Sequence, residues 1–111
     1  MTNFCKYDVV VVKFPFASSI KFKARPAVIV SSNQYNKNKR DTLIILAISS
    51  QIDNKLDFEK TIKNWEQANL IKPSIFKSSI ATVEKEFIIT KLGSLCTNDQ
   101  KSLNSLLEII C

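Results

Sequence analysis

The sequence predicts a mainly β (α+β) fold, a small twisted sheet or barrel of five or six short strands closed by one C-terminal amphipathic helix. Three observations predict it. Short β-branched runs recur along the first part of the chain, each run is bounded by proline or polar clusters, and only the last segment repeats with helical period. At 111 residues and 12.6 kDa the chain has the size of one domain, residues 1–111.

The first strand is Tyr7 to Phe14, whose consecutive valines suit a strand buried on both faces and which runs into Phe14-Pro15-Phe16. Ala17 to Arg25 holds two serines and three cations and reads as a loop; Pro26 to Ser32, with Ala27-Val28-Ile29-Val30, is the second strand. Ser32 to Asp41 is polar and asparagine-rich, a further loop. Thr42 to Ser50 is the most apolar segment and stops abruptly at Ser49-Ser50-Gln51, which places both serines at the mouth of a central strand. Weaker signals follow: a short strand around Phe58 to Ile62 and one helical turn over Asn64 to Asn69. Pro73 marks a boundary, Ser74 to Val83 is a strand, Glu84 to Glu86 a turn, and Phe87 to Leu95 the last strand, with Gly93 as a local break. Thr97 with Gln100 forms a capping-box pattern, and Leu103, Leu106, Leu107 and Ile110 fall on one stripe of a helix.

Composition narrows the function. Hydrophobic residues at 45% and charged residues at 23% match a soluble globular chain and lie outside the disordered range. The longest apolar runs, Val9 to Val12 and Leu43 to Ile48, fall far short of the ~20 residues of a membrane-spanning helix, and Met1 to Tyr7 lacks a secretory apolar core. A cytoplasmic protein with no membrane partner is expected. Cys5, Cys96 and Cys111 are odd in number and widely spaced, the pattern of free thiols. There is no histidine, which removes the commonest zinc sites, histidine acid-base pairs and Ser-His-Asp triads. With Asp53, Asp57 and Glu59 in a solvated pattern and a single glycine, neither a metal nor a nucleotide cofactor is predicted.

The net charge of +6 is unevenly placed. Residues 1–55 carry nine Lys/Arg against three acids, while residues 56–111 carry seven of each, so the whole excess lies in the first half. It concentrates in Lys21 to Arg25 and Lys37 to Arg40. One reading is a solvated lysine-rich surface; the other is a polyanion site, most naturally nucleic acid, because loop cations release phosphate counterions. Phe14, Phe16 and Phe22 interleave with Lys13, Lys21 and Lys23, the mixture used by single-strand binders. Phe14 is assigned to the core, leaving Phe16 and Phe22 as stacking candidates, and Trp65 is read as a core anchor. Lysine outnumbers arginine fourteen to two, so Arg25 beside Pro26 is either a bidentate phosphate grip or a surface cation at a proline turn.

The order of segments carries more than any one of them. Lys6-Tyr7-Asp8-Val9-Val10-Val11-Val12 with Phe14-Pro15-Phe16, then Ala24-Arg25-Pro26-Ala27-Val28-Ile29-Val30-Ser31-Ser32-Asn33, then Ile48-Ser49-Ser50-Gln51, resembles the MazF/PemK toxins of bacterial type II toxin-antitoxin pairs. The likeness continues in Trp65 to Ser74 and in Lys91-Leu92-Gly93-Ser94-Leu95. It implies an SH3-like, MazF/CcdB-like barrel, a homodimer, and a metal-independent, sequence-selective endoribonuclease without cofactor, held inactive by an antitoxin. Single-stranded RNA or mRNA is the implied substrate, cleaved through 2′-hydroxyl attack to a 2′,3′-cyclic phosphate and a 5′-hydroxyl. Arg25 and Ser49 match the family's catalytic positions. Phe16, Lys21, Phe22, Lys23, Ser50, Gln51, Lys77 and Ser79 are the RNA-binding candidates. The antitoxin is expected to be short, acidic and partly disordered, with DNA contacted only through it.

Two departures from the family pattern are visible. Tyr7 replaces a common glycine, a change at the start of the first strand, and Lys77 with Ser79 stand where several members carry Arg-x-Asp, which leaves the general base unassigned. Two other functions compete with the nuclease: a non-catalytic CcdB-like gyrase poison, disfavoured by Glu108-Ile109-Ile110-Cys111 in place of a Trp-Gly tail, and a passive SH3-like nucleic-acid-binding module.

Overall fold

The computed structural model describes residues 3–15 and 22–111. The valine-rich run forms β1 (Asp8–Pro15), which pairs antiparallel with β2 (Phe22–Ile29), Val9 opposite Val28 and Pro15 opposite Phe22. The second strand thus begins at Phe22 rather than Pro26, and residues 22–25 are strand where the sequence reads loop. Hairpin partners Lys13, Phe14 and Pro15 pair with the main chain of residues 22–24, so tertiary pairing overrides polar composition.

The remaining strands are β3 (Thr42–Ser49), β4 (Lys60–Ile62), β5 (Ser74–Glu84) and β6 (Ile88–Ser94). With β1 and β2 they make one antiparallel sheet in the order β4-β5-β3-β2-β1-β6, curled into a half-barrel. Short 3-10 turns sit at Tyr35–Lys37, Ile52–Asn54 and Lys85–Phe87. The single helical turn expected at Asn64–Asn69 is a run of hydrogen-bonded turns, in which Ala68 and Leu70 donate their N–H groups to the carbonyls of Asn64 and Trp65.

Alternation along the strands builds two cores. One face carries Val9, Val28, Leu46, Ile48 and Phe76, covered by Leu103 and Leu106 of α1 (Thr97–Ile110); the other carries Val10, Val12, Ala27, Ile29, Leu43 and Ile45, with Phe4, Val83, Phe87 and Ile88 packed against them. That double burial is why β1 reads as unbroken valine. Trp65 is half-buried against the first core, and Cys5, Cys96 and Cys111 are free thiols.

The helix does not use the expected capping box. Cys96 is the N-cap and makes no side-chain cap bond, while Gln100 donates its Nε2 to the Leu95 carbonyl at 3.0 Å. The first turn is anchored by Asp99, which is completely buried and accepts the N–H groups of Lys63 and Asn64, each at 2.9 Å. A carboxylate there also suits the helix dipole.

Tyr7, Asp41 and Asn69 have positive φ, and the backbone beside Gly93 leaves little room. Tyr7 has φ 75°, the left-handed region that explains why a glycine suits this place and that costs a tyrosine ~1–2 kcal/mol. Its contacts offset that cost: the hydroxyl donates to Asn104 Oδ1 at 2.9 Å, the N–H donates to Ile29, and the carbonyl accepts from Leu95. At Gly93 a Cβ would lie 3.1 Å from Asn69 Nδ2 and 3.2 Å from the Ala68 carbonyl. Moving Asn69 aside would break the bond its Nδ2 donates to the Leu92 carbonyl at 2.6 Å. Gly93→Ala is expected to destabilise the fold by ~1–2 kcal/mol, read as a lowered thermal midpoint.

Candidate active site

Pro26 makes the opening in which the site sits. The Ile29 carbonyl accepts from Tyr7 on the β1 side, whereas Val30 donates to Ile44 on the β3 side. Main-chain groups alternate along a strand, so those of Val28 and Pro26 face β3. Proline has no N–H to give, and the β2–β3 ladder ends at Ala27 opposite Ala47. Arg25 and Ser49 each stand two residues beyond that last pair, on neighbouring strands and with the same parity.

A groove of about 400 Å³ opens there, and Arg25, Ser49, Ser50 and Gln51 all line it. Its apolar floor includes Val11, Pro26, Ile48, Leu70 and Leu92, and its further wall is Ile71, Lys72 and Ser74. Two lining residues are cations and none is acidic. Arg25 is exposed and has neither an ion pair nor a hydrogen bond to any described residue, which leaves its donor fork available. The Ser49 hydroxyl oxygen accepts the Gln51 N–H at 3.0 Å. That bond fixes the oxygen and leaves the hydroxyl proton to be donated into the groove.

The other sequence candidates fall into three groups. Phe16 and Lys21 lie outside the described residues. Phe22 and Lys23 occupy β2 positions opposite Pro15 and Phe14. Lys77 and Ser79 are exposed on β5 and are not part of the groove's lining. Between them, Ser78 has a role the sequence did not suggest: its N–H and hydroxyl donate to Glu59 Oε2 at 2.6 and 2.8 Å, while Glu59 Oε1 accepts the Leu56 N–H at 2.9 Å. Glu59 thereby latches the 50–59 loop, which carries Ser50 and Gln51, onto β5. Ile71 and Lys72 line the groove but were not among the sequence candidates, although they fall within the family-like Trp65 to Ser74 segment.

The latch titrates. Burial pushes the Glu59 carboxyl up, but the Leu56 and Ser78 N–H groups, the Ser78 hydroxyl and the nearby Lys77 charge outweigh it and hold the group below its usual value. A carboxyl lowered by folding adds stability that is complete above its unfolded value, near pH 4.3, and is lost as pH falls through the folded value. Thermal unfolding followed from about pH 6 down to about pH 3 should therefore show an acid decline that Glu59→Gln makes shallower while lowering stability at neutral pH. An unchanged acid limb would refute the latch.

Among the described residues no three His, Cys, Asp or Glu side chains converge, and no helix is long and apolar enough to cross a membrane. Comparison with solved structures shows the same fold across nearly the whole chain. A mycobacterial endoribonuclease in complex with its cognate antitoxin matches with TM-score 0.75 at 14% identity, covering 99% of this chain and 94% of that one. A MazE-MazF structure from Deinococcus radiodurans gives 0.74 at 14% identity, with 99% and 94% covered. The Mycobacterium tuberculosis toxin MazF-mt6 gives 0.67 at 16% identity, with 93% and 91% covered. No curated protein matches by sequence. The family model of the PemK-like, MazF-like toxins of type II toxin-antitoxin systems matches residues 6–111, and with the curled sheet and terminal helix this places the chain in that family.

Proposed function

We propose that the chain is a type II toxin that acts in the cytoplasm as a sequence-selective endoribonuclease on single-stranded RNA. The observation that carries this reading is the meeting of Arg25 and Ser49 in one groove with cationic lining and no acid. A guanidinium keeps its charge at cellular pH and can hold two phosphate oxygens at once. In the proposed step the ribose 2′-oxygen bonds to the adjacent phosphorus and the bond to the 5′-oxygen breaks, leaving a 2′,3′-cyclic phosphate and a 5′-hydroxyl. Arg25 stabilises the charge that builds on the phosphoryl oxygens, and the Ser49 hydroxyl donates to the same centre. With no carboxylate or imidazole lining the groove, the 2′-hydroxyl proton passes to water and the departing 5′-oxygen takes one from water. The groove's side chains include no carboxylate, thiolate or imidazole to hold a divalent ion, so a metal-independent reaction is proposed.

The mycobacterial endoribonuclease is seen with its cognate antitoxin and the Deinococcus MazF with MazE, and by analogy a short acidic antitoxin is proposed to cover the basic surface here, with DNA touched only through it. A homodimer is proposed as well, on the family resemblance of the sequence. The test is cleavage of single-stranded RNA by the purified chain in EDTA, with end-group analysis of the fragments. Cyclic-phosphate and 5′-hydroxyl ends are expected; intact RNA, or activity that EDTA abolishes, would overturn the reading.

A further inference from the structure

The wall of the groove formed by residues 70–74 has the character of a built substrate contact. Lys72 is the second cation lining the opening, with no ion pair to a described residue. Beside it Ile71 is 90% exposed, although its neighbour Leu70 is only 8% exposed and belongs to the core. The segment is pinned at both ends. Upstream, Asn69 holds the Leu92 carbonyl and the turn over 64–70 closes on its own main chain. Downstream, Pro73 confines Lys72 to extended backbone, and the buried Ser74 donates its hydroxyl to the Lys72 carbonyl at 2.8 Å.

A fixed turn that presents an ammonium and an uncovered aliphatic side chain into one cationic groove matches the two parts of a nucleotide. We infer that Lys72 contacts an RNA phosphate alongside the one held by Arg25, and that Ile71 covers a base lying on the apolar floor of the groove. The inference rests on the ribonuclease reading and deepens it. It also supplies a second positive contact in a chain that has Lys77, outside the groove, at the position where related sequences often carry arginine.

Binding of a random pool of 2′-O-methyl octanucleotides separates the two roles, because such strands cannot supply the attacking hydroxyl and binding is read without cleavage. Lys72→Ala is expected to weaken binding roughly tenfold at low salt and to reduce the slope of log affinity against log salt by about 0.7, the value of one single-strand phosphate contact. Lys72→Arg should restore both. Ile71→Ala should weaken binding about fivefold with the slope unchanged, since it removes apolar contact and no charge. An unchanged slope in Lys72→Ala beside a reduced one in Arg25→Ala would overturn the inference and leave the ribonuclease reading standing. Absence of pool binding by the wild type would overturn it as well. The expected slopes with no strand scission on 2′-hydroxyl RNA would support the inferred contacts and overturn the nuclease.

Discussion

Arg25→Ala is expected to lower single-turnover cleavage of single-stranded RNA by roughly 10²–10³-fold, the usual loss when a preorganised donor to a developing oxyanion is removed. The cost falls on the chemical step because charge grows on the phosphoryl oxygens as the 2′-oxygen bonds to phosphorus, and a two-point donor fork gains most at that moment. Arg25→Lys keeps the charge and loses the fork, so it should recover only part of the rate. Arg25 is exposed and bonded to no described residue, so the fold should persist, as circular dichroism and an unchanged thermal midpoint would show. Ser49→Ala should cost less, about tenfold, because one neutral donor is lost. Retention of activity in Arg25→Ala to within about twofold of wild type would remove this residue from the mechanism.

Asp99→Ala should have the largest effect on stability, about 2–4 kcal/mol, seen as a lower urea midpoint at unchanged slope. The Asp99 carboxylate is completely buried and accepts the Lys63 and Asn64 N–H groups, each at 2.9 Å. Removing it strands two main-chain donors and takes a negative charge from the first turn of α1. Asp99→Asn should be intermediate, since one oxygen is replaced by a donor that faces an N–H. The damage should also reach the groove, because the same turn leads into Ile71 and Lys72. At temperatures where Asp99→Ala remains folded, weakened RNA binding is expected alongside the lower stability. A variant as stable as wild type would show that these bonds exchange with water at no cost.

The strands and helix were legible where the apolar pattern is local. Tyr7 to Phe14 and Thr42 to Ser50 announce strands as short continuous apolar, β-branched runs of sheet-core length, and the Leu103-Leu106-Leu107-Ile110 stripe announces a helix by its period. The start of β2 was not legible, since residues 22–25 are held by hairpin partners and their own composition points elsewhere. The helix cap was misread for a related reason: Asp99 binds a turn 35 and 36 residues away in sequence rather than its own first turn. Ser78 and Glu59 likewise meet only across the sheet.

The order of its apolar runs, the isolated Arg25 before Pro26 and the serines closing the third strand were determined by the sequence alone, because each is a local property of residue type and spacing. Pro26 even dictates where a β ladder must stop, since a missing N–H needs no partner to be missing. Tertiary structure decided what that stop becomes. Only pairing of β2 with β3 brings Arg25 and Ser49 to one opening, and the long-range contacts that set the 70–74 segment beside it, Asp99 on Lys63 and Asn64, Asn69 on Leu92 and Leu70 in the core, exist only in the folded chain. Contacts between residues far apart in the chain depend on registers and packing that no local window contains, so the groove exists only once the whole sheet has formed.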